Sequence, residues 1–141
     1  MIPKIIHQIW EGRTEHLGDV YQSLGETWRE HHPDWTYEFW DENRMENLVY
    51  DHFPELLDIY FGYPYPVQRW QMIRYLILYQ MGGIYVDFDY ECLAPFDPYI
   101  TDESICYFAM EPEQHLCSSG QSFCIHNALM ITPWVIRFSN M

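Results

Sequence analysis

Two aspartates one residue apart, Asp87 and Asp89, stand at the end of the β-branched and aromatic run Ile84-Tyr85-Val86. Alternate side chains of an extended chain point the same way, so the two carboxylates can converge beyond the end of the strand. Convergent like charges need a cation. A hard divalent ion takes oxygen ligands from one or two carboxylates together with substrate phosphates, and in open α/β sheets ligands sit beyond the carboxyl ends of strands. A bare D-x-D is a short pattern that also arises as two solvated turn acids. What sets this one apart is Arg74, thirteen residues before Asp87 in a largely apolar run from Val67 to Met81. A guanidinium buried there requires an acid or an anionic ligand nearby. Gln71 lies three residues earlier, on the same face of a helix.

Two further patterns compete for chemistry. A hydrophobic strand ending in D-x-D is also how phosphatases of the haloacid dehalogenase type present nucleophile and acid. Those enzymes usually carry Thr or Val two residues after the second acid, where this chain has Glu91, and no later acidic pair with a preceding Lys is evident. His115, Cys117, Cys124 and His126 form H-x-C, a six-residue spacer and C-x-H, which a hairpin could bring to one face for zinc; the usual knuckle has two residues between paired ligands. The plainer reading makes the cysteines packed thiols, or a small disulfide in an oxidising compartment. His31-His32 before Pro33 reads as a solvated helix end.

These side chains need elements to hold them. Ile2 to Trp10 reads as a buried first strand, and Leu17, Val20, Tyr21, Leu24 and Trp28 recur at helical spacing up to His31. Thr36 to Trp40 reads as a short strand, Asp41 as the N-cap of a helix over Glu42 to His52, and Pro54 as the opening of another through Tyr60. Val67 to Met81 predicts a helix buried on most sides and ended by Gly82-Gly83, leading into the Ile84-Val86 strand. Ser104 to Met110 and Phe123 to Thr132 are further strands, and Pro133 opens a last helix. The fold class is α/β, and 141 residues suffice for one core.

Composition narrows the partners. With 7 Lys+Arg against 21 Asp+Glu the formal net charge is −14, which repels nucleic-acid backbones and anionic lipid surfaces. A phosphate-bearing small ligand remains compatible where a cation stands between it and the acids. No apolar run approaches the ~20 residues of a membrane span, and Met1 to Trp10 lacks a signal peptide's features, so the sequence predicts a cytoplasmic protein.

Taken in order, Ile2-Pro3-Lys4-Ile5-Ile6-His7-Gln8-Ile9-Trp10, Arg74-Tyr75, Leu78-Tyr79, Gly82-Gly83-Ile84-Tyr85 and Asp87-Phe88-Asp89 resemble the glycosyltransferase family with a DXD sugar-binding region. That family groups fungal Golgi mannosyltransferases with bacterial capsular polysaccharide enzymes. The similarity runs from residue 2 to about residue 97, with a weaker stretch over Asn127 to Pro133. It implies a GT-A-like, Rossmann-like sheet with flanking helices, forming one domain over residues 1–141 that is incomplete at the C-terminus. The implied activity is metal-dependent transfer of a hexose, with retention, from a UDP- or GDP-sugar. The implied acceptor is a polysaccharide, glycolipid or other glycan, with peripheral membrane association through that acceptor.

By the same resemblance Trp10 stacks on the donor's base, Arg74 binds the donor sugar or its phosphates, and Tyr85 lines that pocket. Asp87 and Asp89 hold ribose and Mn²⁺ or Mg²⁺. Trp10 read by itself is equally a core residue, and Tyr85 a cross-strand packing residue. Gln71 occupies the position where the family usually has an Asp contacting the donor sugar; its amide hydrogen-bonds hydroxyls but cannot act as a carboxylate. Family members are also usually longer. Both departures leave room for a rival, a non-catalytic sugar-nucleotide-binding or structural remnant of such an enzyme. No residue is an obvious covalent nucleophile, which favours front-face attack by the acceptor, with the leaving phosphate as base, over double displacement.

Overall fold

A computed structural model describes residues 1–10, 17–112, 114 and 123–134. Its centre is a five-stranded sheet in the order β2-β1-β3-β5-β4. β1 (Ile5–Ile9) pairs in parallel with β2 (Thr36–Trp40) on one side and with β3 (Gly83–Val86) on the other. β5 (Ile125–Thr132) runs antiparallel to β3, from Gly83↔Thr132 to Val86↔Leu129, and β4 (Tyr107–Met110) closes the edge antiparallel to β5. The result is an open mixed sheet with helices on both faces.

Helix α1 (Asp19–His31) connects β1 to β2 and packs Trp28 against Ile6, Ile84, Val86 and Ile131 on one face. The connection from β2 to β3 runs through α2 (Glu42–His52), a 3-10 turn at Pro54–Leu56, α3 (Leu57–Gly62) and α4 (Pro66–Met81). On the other face Met45, Leu48 and Val49 of α2 meet Ile73 and Ile77 of α4 around Trp40. Asp41 caps α2 as expected, its Oδ1 accepting the Arg44 backbone N–H at 2.8 Å.

Several sequence expectations need correcting. The first strand is shorter than Ile2–Trp10, because the Ile5 N–H turns back to the Pro3 carbonyl at 2.9 Å. The strand read from Ser104 starts at Tyr107, since the Ser104 N–H and hydroxyl both donate to Asp102 Oδ1 and form a turn. Helix α4 is buried along one stripe, Ile73, Arg74, Ile77 and Leu78, while Val67, Tyr75 and Tyr79 are exposed. His32 is buried rather than solvated: its Nδ1–H donates to the Trp28 carbonyl and its Nε2 accepts the Phe96 N–H. Of the described cysteines only Cys92 is a packed thiol, Cys106 being exposed and Cys124 half-buried. The expected helix after Pro133 lies outside the described residues beyond Trp134.

The turn from α4 into β3 fixes where the site forms. Gly82 closes the helix with φ 66°, its N–H donating to the Leu78 carbonyl at 2.8 Å. Gly83 has φ 95°, and a Cβ there would stand 2.5 Å from the Ile5 carbonyl oxygen, so β1 and β3 meet only because residue 83 has no side chain. Buried His7 locks the same junction. It donates from Nε2 to the Gly82 carbonyl at 2.9 Å and accepts the Trp40 indole N–H at Nδ1 over 3.1 Å. Burial pushes its pKa down to about 4, so the imidazole is neutral at neutral pH.

Candidate active site

At the carboxyl ends of β1 and β3 the sheet and α4 enclose a cleft of about 280 Å³, lined by Ile9, Trp10, Tyr21, Trp70, Arg74, Asp87, Phe88 and Asp89. Arg74 comes from the buried stripe of α4 and is 5% exposed, so its charge needs acceptors. It finds them in Asp87 Oδ2, 3.3 Å from Nη1, and in Asn127, whose backbone and side-chain oxygens accept from Nη1 at 3.1 and 3.2 Å. Nε donates to the Trp70 carbonyl one turn earlier, and the guanidinium carbon lies 4.8 Å from the centre of the Tyr85 ring.

Asp87 is held from four directions. Its N–H donates to the Ala128 carbonyl at 2.8 Å, and its carbonyl accepts from Gln8 Nε2 at 3.4 Å. Oδ1 accepts the Tyr85 hydroxyl at 2.5 Å, and Oδ2 faces Arg74. Tyr85 was expected to line the pocket; it is instead fully buried behind Asp87, and its hydroxyl reaches the cleft through that carboxylate. Burial first, then the neighbouring Asp87, holds the Tyr85 pKa well above its ordinary value, so the phenol stays a donor.

Asp89 is the contrasting acid, exposed at the mouth and without a hydrogen bond or ion pair among the described residues. Trp10 forms part of the wall at the end of β1, its ring 5.3 Å from Tyr21 and 5.7 Å from Phe88, the latter edge-on. Gln71 sits on α4 outside the cleft wall, its Oε1 accepting from Asn127 Nδ2 at 2.8 Å. Tyr21 and Trp70 are not legible as site residues, and Gln8, Phe88 and Asn127 stand in the stretches that carry the resemblance without a site role read for them. Tyr21 and Trp70 carried a spacing signal that reads equally as core, and Asn127 reaches Arg74 only through the β3–β5 pairing, which is non-local in sequence.

The donor set fits a hard divalent cation that brings its own further ligands. Asp89 offers a free carboxylate, and Asp87 retains lone pairs beyond its two contacts. Among the described residues no group of three or more His, Cys, Asp or Glu converges, so this is not an all-protein cage. The zinc pattern finds no support in its described half: Cys124 Sγ faces the Ile125 carbonyl, and His126 accepts the Ala128 N–H at Nδ1 with Nε2 near the Tyr90 hydroxyl. His115 and Cys117 lie outside the described residues. No described helix is long and apolar enough to cross a membrane.

Residues 18–106 match the family model described as a glycosyltransferase sugar-binding region containing a DXD motif. Inositol phosphoceramide mannosyltransferase 3 of Schizosaccharomyces pombe is 37% identical over 97 residues, covering 69% of this chain and 27% of the relative. Inositol phosphoceramide mannosyltransferase 1 of the same organism is 29% identical over 114 residues, covering 79% and 35%. A mannosyl phosphorylinositol ceramide synthase of Saccharomyces cerevisiae is 36% identical over 98 residues, covering 70% and 26%. The chain thus spans about a third or less of the length of these relatives. Among solved structures, the PaToxG glycosyltransferase superposes with a TM-score of 0.51 at 19% identity, over 68% of this chain and 45% of that one, a likeness of fold.

Proposed function

Because the chain belongs to the glycosyltransferases with a DXD sugar-binding region, we propose that it forms the donor site of a metal-dependent, retaining hexosyltransferase acting on a UDP- or GDP-sugar. The observation that carries this reading is the division of labour between the two acids: Asp87 is fixed by Arg74 and Tyr85, and Asp89 stands free at the mouth of the same cleft. The family assignment sets the phosphatase reading aside. The relatives' names favour a mannosyl donor and an inositol phospholipid acceptor, and such an acceptor would bring the protein to a membrane surface.

Breaking the bond from the anomeric carbon to a nucleoside diphosphate leaves an oxocarbenium-like sugar and puts negative charge on the leaving phosphate. Arg74, held by its Nη1 edge, supplies a fixed positive charge to that phosphate in a cleft largely walled by apolar surface. Trp10, with Tyr21 and Phe88 around it, gives the base a flat aromatic wall. Asp87, oriented by Tyr85 and Gln8, accepts hydrogen bonds from the ribose. Mn²⁺ or Mg²⁺ held by Asp89, with Asp87 beside it, would supply Lewis-acid neutralisation of the diphosphate. Both carboxylates of the wall are committed to these tasks, which favours attack by the acceptor on the face of the leaving group.

The test is turnover of GDP-mannose and UDP-hexoses with a phosphoinositol lipid acceptor, comparing wild type with Asp89→Ala and reading the product's anomeric configuration by NMR. Loss of turnover in a folded Asp89→Ala, with retention in the wild-type product, supports the reading. Full activity of Asp89→Ala refutes the metal role, and an inverted product refutes retention. A folded wild type that binds donors and never turns them over supports the remnant instead.

A further inference from the structure

Asn127, near the start of β5, stands behind the cleft, and the orientation of its amide is unambiguous. Arg74 can only donate, so the atom facing Nη1 at 3.2 Å is Oδ1. Nδ2 is then left to donate to Gln71 Oε1 at 2.8 Å and to the Tyr75 hydroxyl at 3.0 Å. The amide is therefore fixed on both sides, and the two groups that fix it from α4 are exposed residues whose other faces meet solvent.

The effect on Arg74 follows from counting its donors. Nη1 faces three acceptors, Asp87 Oδ2 and the two oxygens of Asn127, and Nε is taken by the Trp70 carbonyl. Nη2 has no acceptor among the described residues, and Arg74 lines the cleft. An arginine beside a carboxylate ordinarily closes a bidentate fork. Here the pair touches through Nη1 alone, at 3.3 Å, because Asn127 shares that nitrogen. A closed fork would direct both guanidinium edges at Asp87 and leave neither charge to a ligand.

We propose that Asn127 is a positioning residue: it draws the Nη1 edge of Arg74 off the Asp87 carboxylate and leaves the Nη2 edge for an anionic group in the cleft. The proposal rests on the donor-site reading, the anionic group being the diphosphate of a nucleotide. Gln71 belongs to the same device, since its Oε1 anchors the Asn127 amide. A neutral amide at position 71 thus performs a holding role that needs an acceptor and does not need a charge.

Two readouts test this on the full chain. One is the order of the Arg74 side chain, from ¹⁵N relaxation of its Nε–H, in wild type and Asn127→Ala. The other is the calorimetric Kd for UDP and for GDP with Mn²⁺, in a cycle of Asn127→Ala with Arg74→Lys. The backbone carbonyl of residue 127 survives the substitution, so the fold should survive; if Asn127→Ala melts, the double variant Gln71→Met/Tyr75→Phe removes the two acceptors that hold the amide. The expected result is loss of Arg74 order and about tenfold weaker binding, with under about twofold change when Arg74 is already Lys. With a wild type that binds, an equal loss of affinity in both arginine backgrounds, an Asn127→Ala affinity equal to that of wild type, or an Arg74 that stays ordered overturns the proposal. If wild type binds neither nucleotide, the donor-site reading fails and the relaxation measurement alone decides whether Asn127 holds Arg74.

Discussion

Lowering the pH should unfasten the junction behind the site through one residue, His7. Its imidazole is enclosed between the Gly82 carbonyl and the Trp40 indole, and burial holds its pKa at about 4 against 6.5 for an ordinary histidine. Between those values the unfolded chain binds a proton that the folded chain refuses. The stability contributed by neutral His7 is therefore complete above about pH 6.5 and is lost as the pH falls toward 4. The linkage amounts to about 2 kcal/mol at about pH 5 and about 3 kcal/mol over the whole window. The assay is urea unfolding of wild type and His7→Gln at about pH 7.5 and about pH 5, since glutamine does not titrate and cancels the contribution of every other group. Wild type should lose about 2 kcal/mol more than His7→Gln between the two conditions, whatever the baseline of the variant. Equal losses in the two proteins would show that His7 is not buried in its neutral form, and the account of the α4–β3 junction would fall with it.

Other outcomes follow from the same contacts. Gly83→Ala should cost about 3 kcal/mol in urea unfolding, because the added Cβ meets the Ile5 carbonyl and φ is 95°; a cost below about 1 kcal/mol would contradict the close approach of β1 and β3. Asp41→Ala should lower stability by about 1 kcal/mol without altering ligand binding, as loss of the α2 cap alone would do. Tyr85→Phe keeps the ring under Arg74 and removes the hydroxyl that fixes Asp87, so nucleotide Kd should rise about tenfold in calorimetry while the fold persists. An unchanged Kd would mean that Asp87 needs no such restraint.

Local chemistry made half of this molecule readable. Thr36–Trp40 alternates polar Thr36 and Glu38 with aromatic Tyr37 and Phe39 like a strand, Asp41 announces α2, and Gly82 ends α4 where a positive φ is needed. Arg74 within a largely apolar helix signalled a nearby acid, and Asp87 is that acid. The rest depends on pairings that no local period encodes. β5 enters between β3 and β4 and delivers Asn127 and Ala128 to the site from some forty residues downstream of Asp87. The first strand reads as buried, and polar His7 and Gln8 within it are indeed fully buried, but the partners that meet their hydrogen bonds, on β2, at the end of β3 and at the α4 cap, are not legible from local sequence. Burial on most sides was overestimated for α4 because tyrosine and valine count as apolar wherever they lie, and here they face outward.

The central claim is that Asp87, Asp89 and Arg74 together form a metal-assisted nucleotide-sugar site, and its most direct test is calorimetric titration of the folded chain with UDP-sugars and GDP-mannose. The titration is run with Mn²⁺ and then with EDTA, in wild type and in Asp89→Ala. Binding that needs both the metal and Asp89 is the predicted result, and it also identifies the base. Donor binding that survives EDTA and Asp89→Ala undiminished, or a folded wild type that binds no donor under any condition, would contradict it.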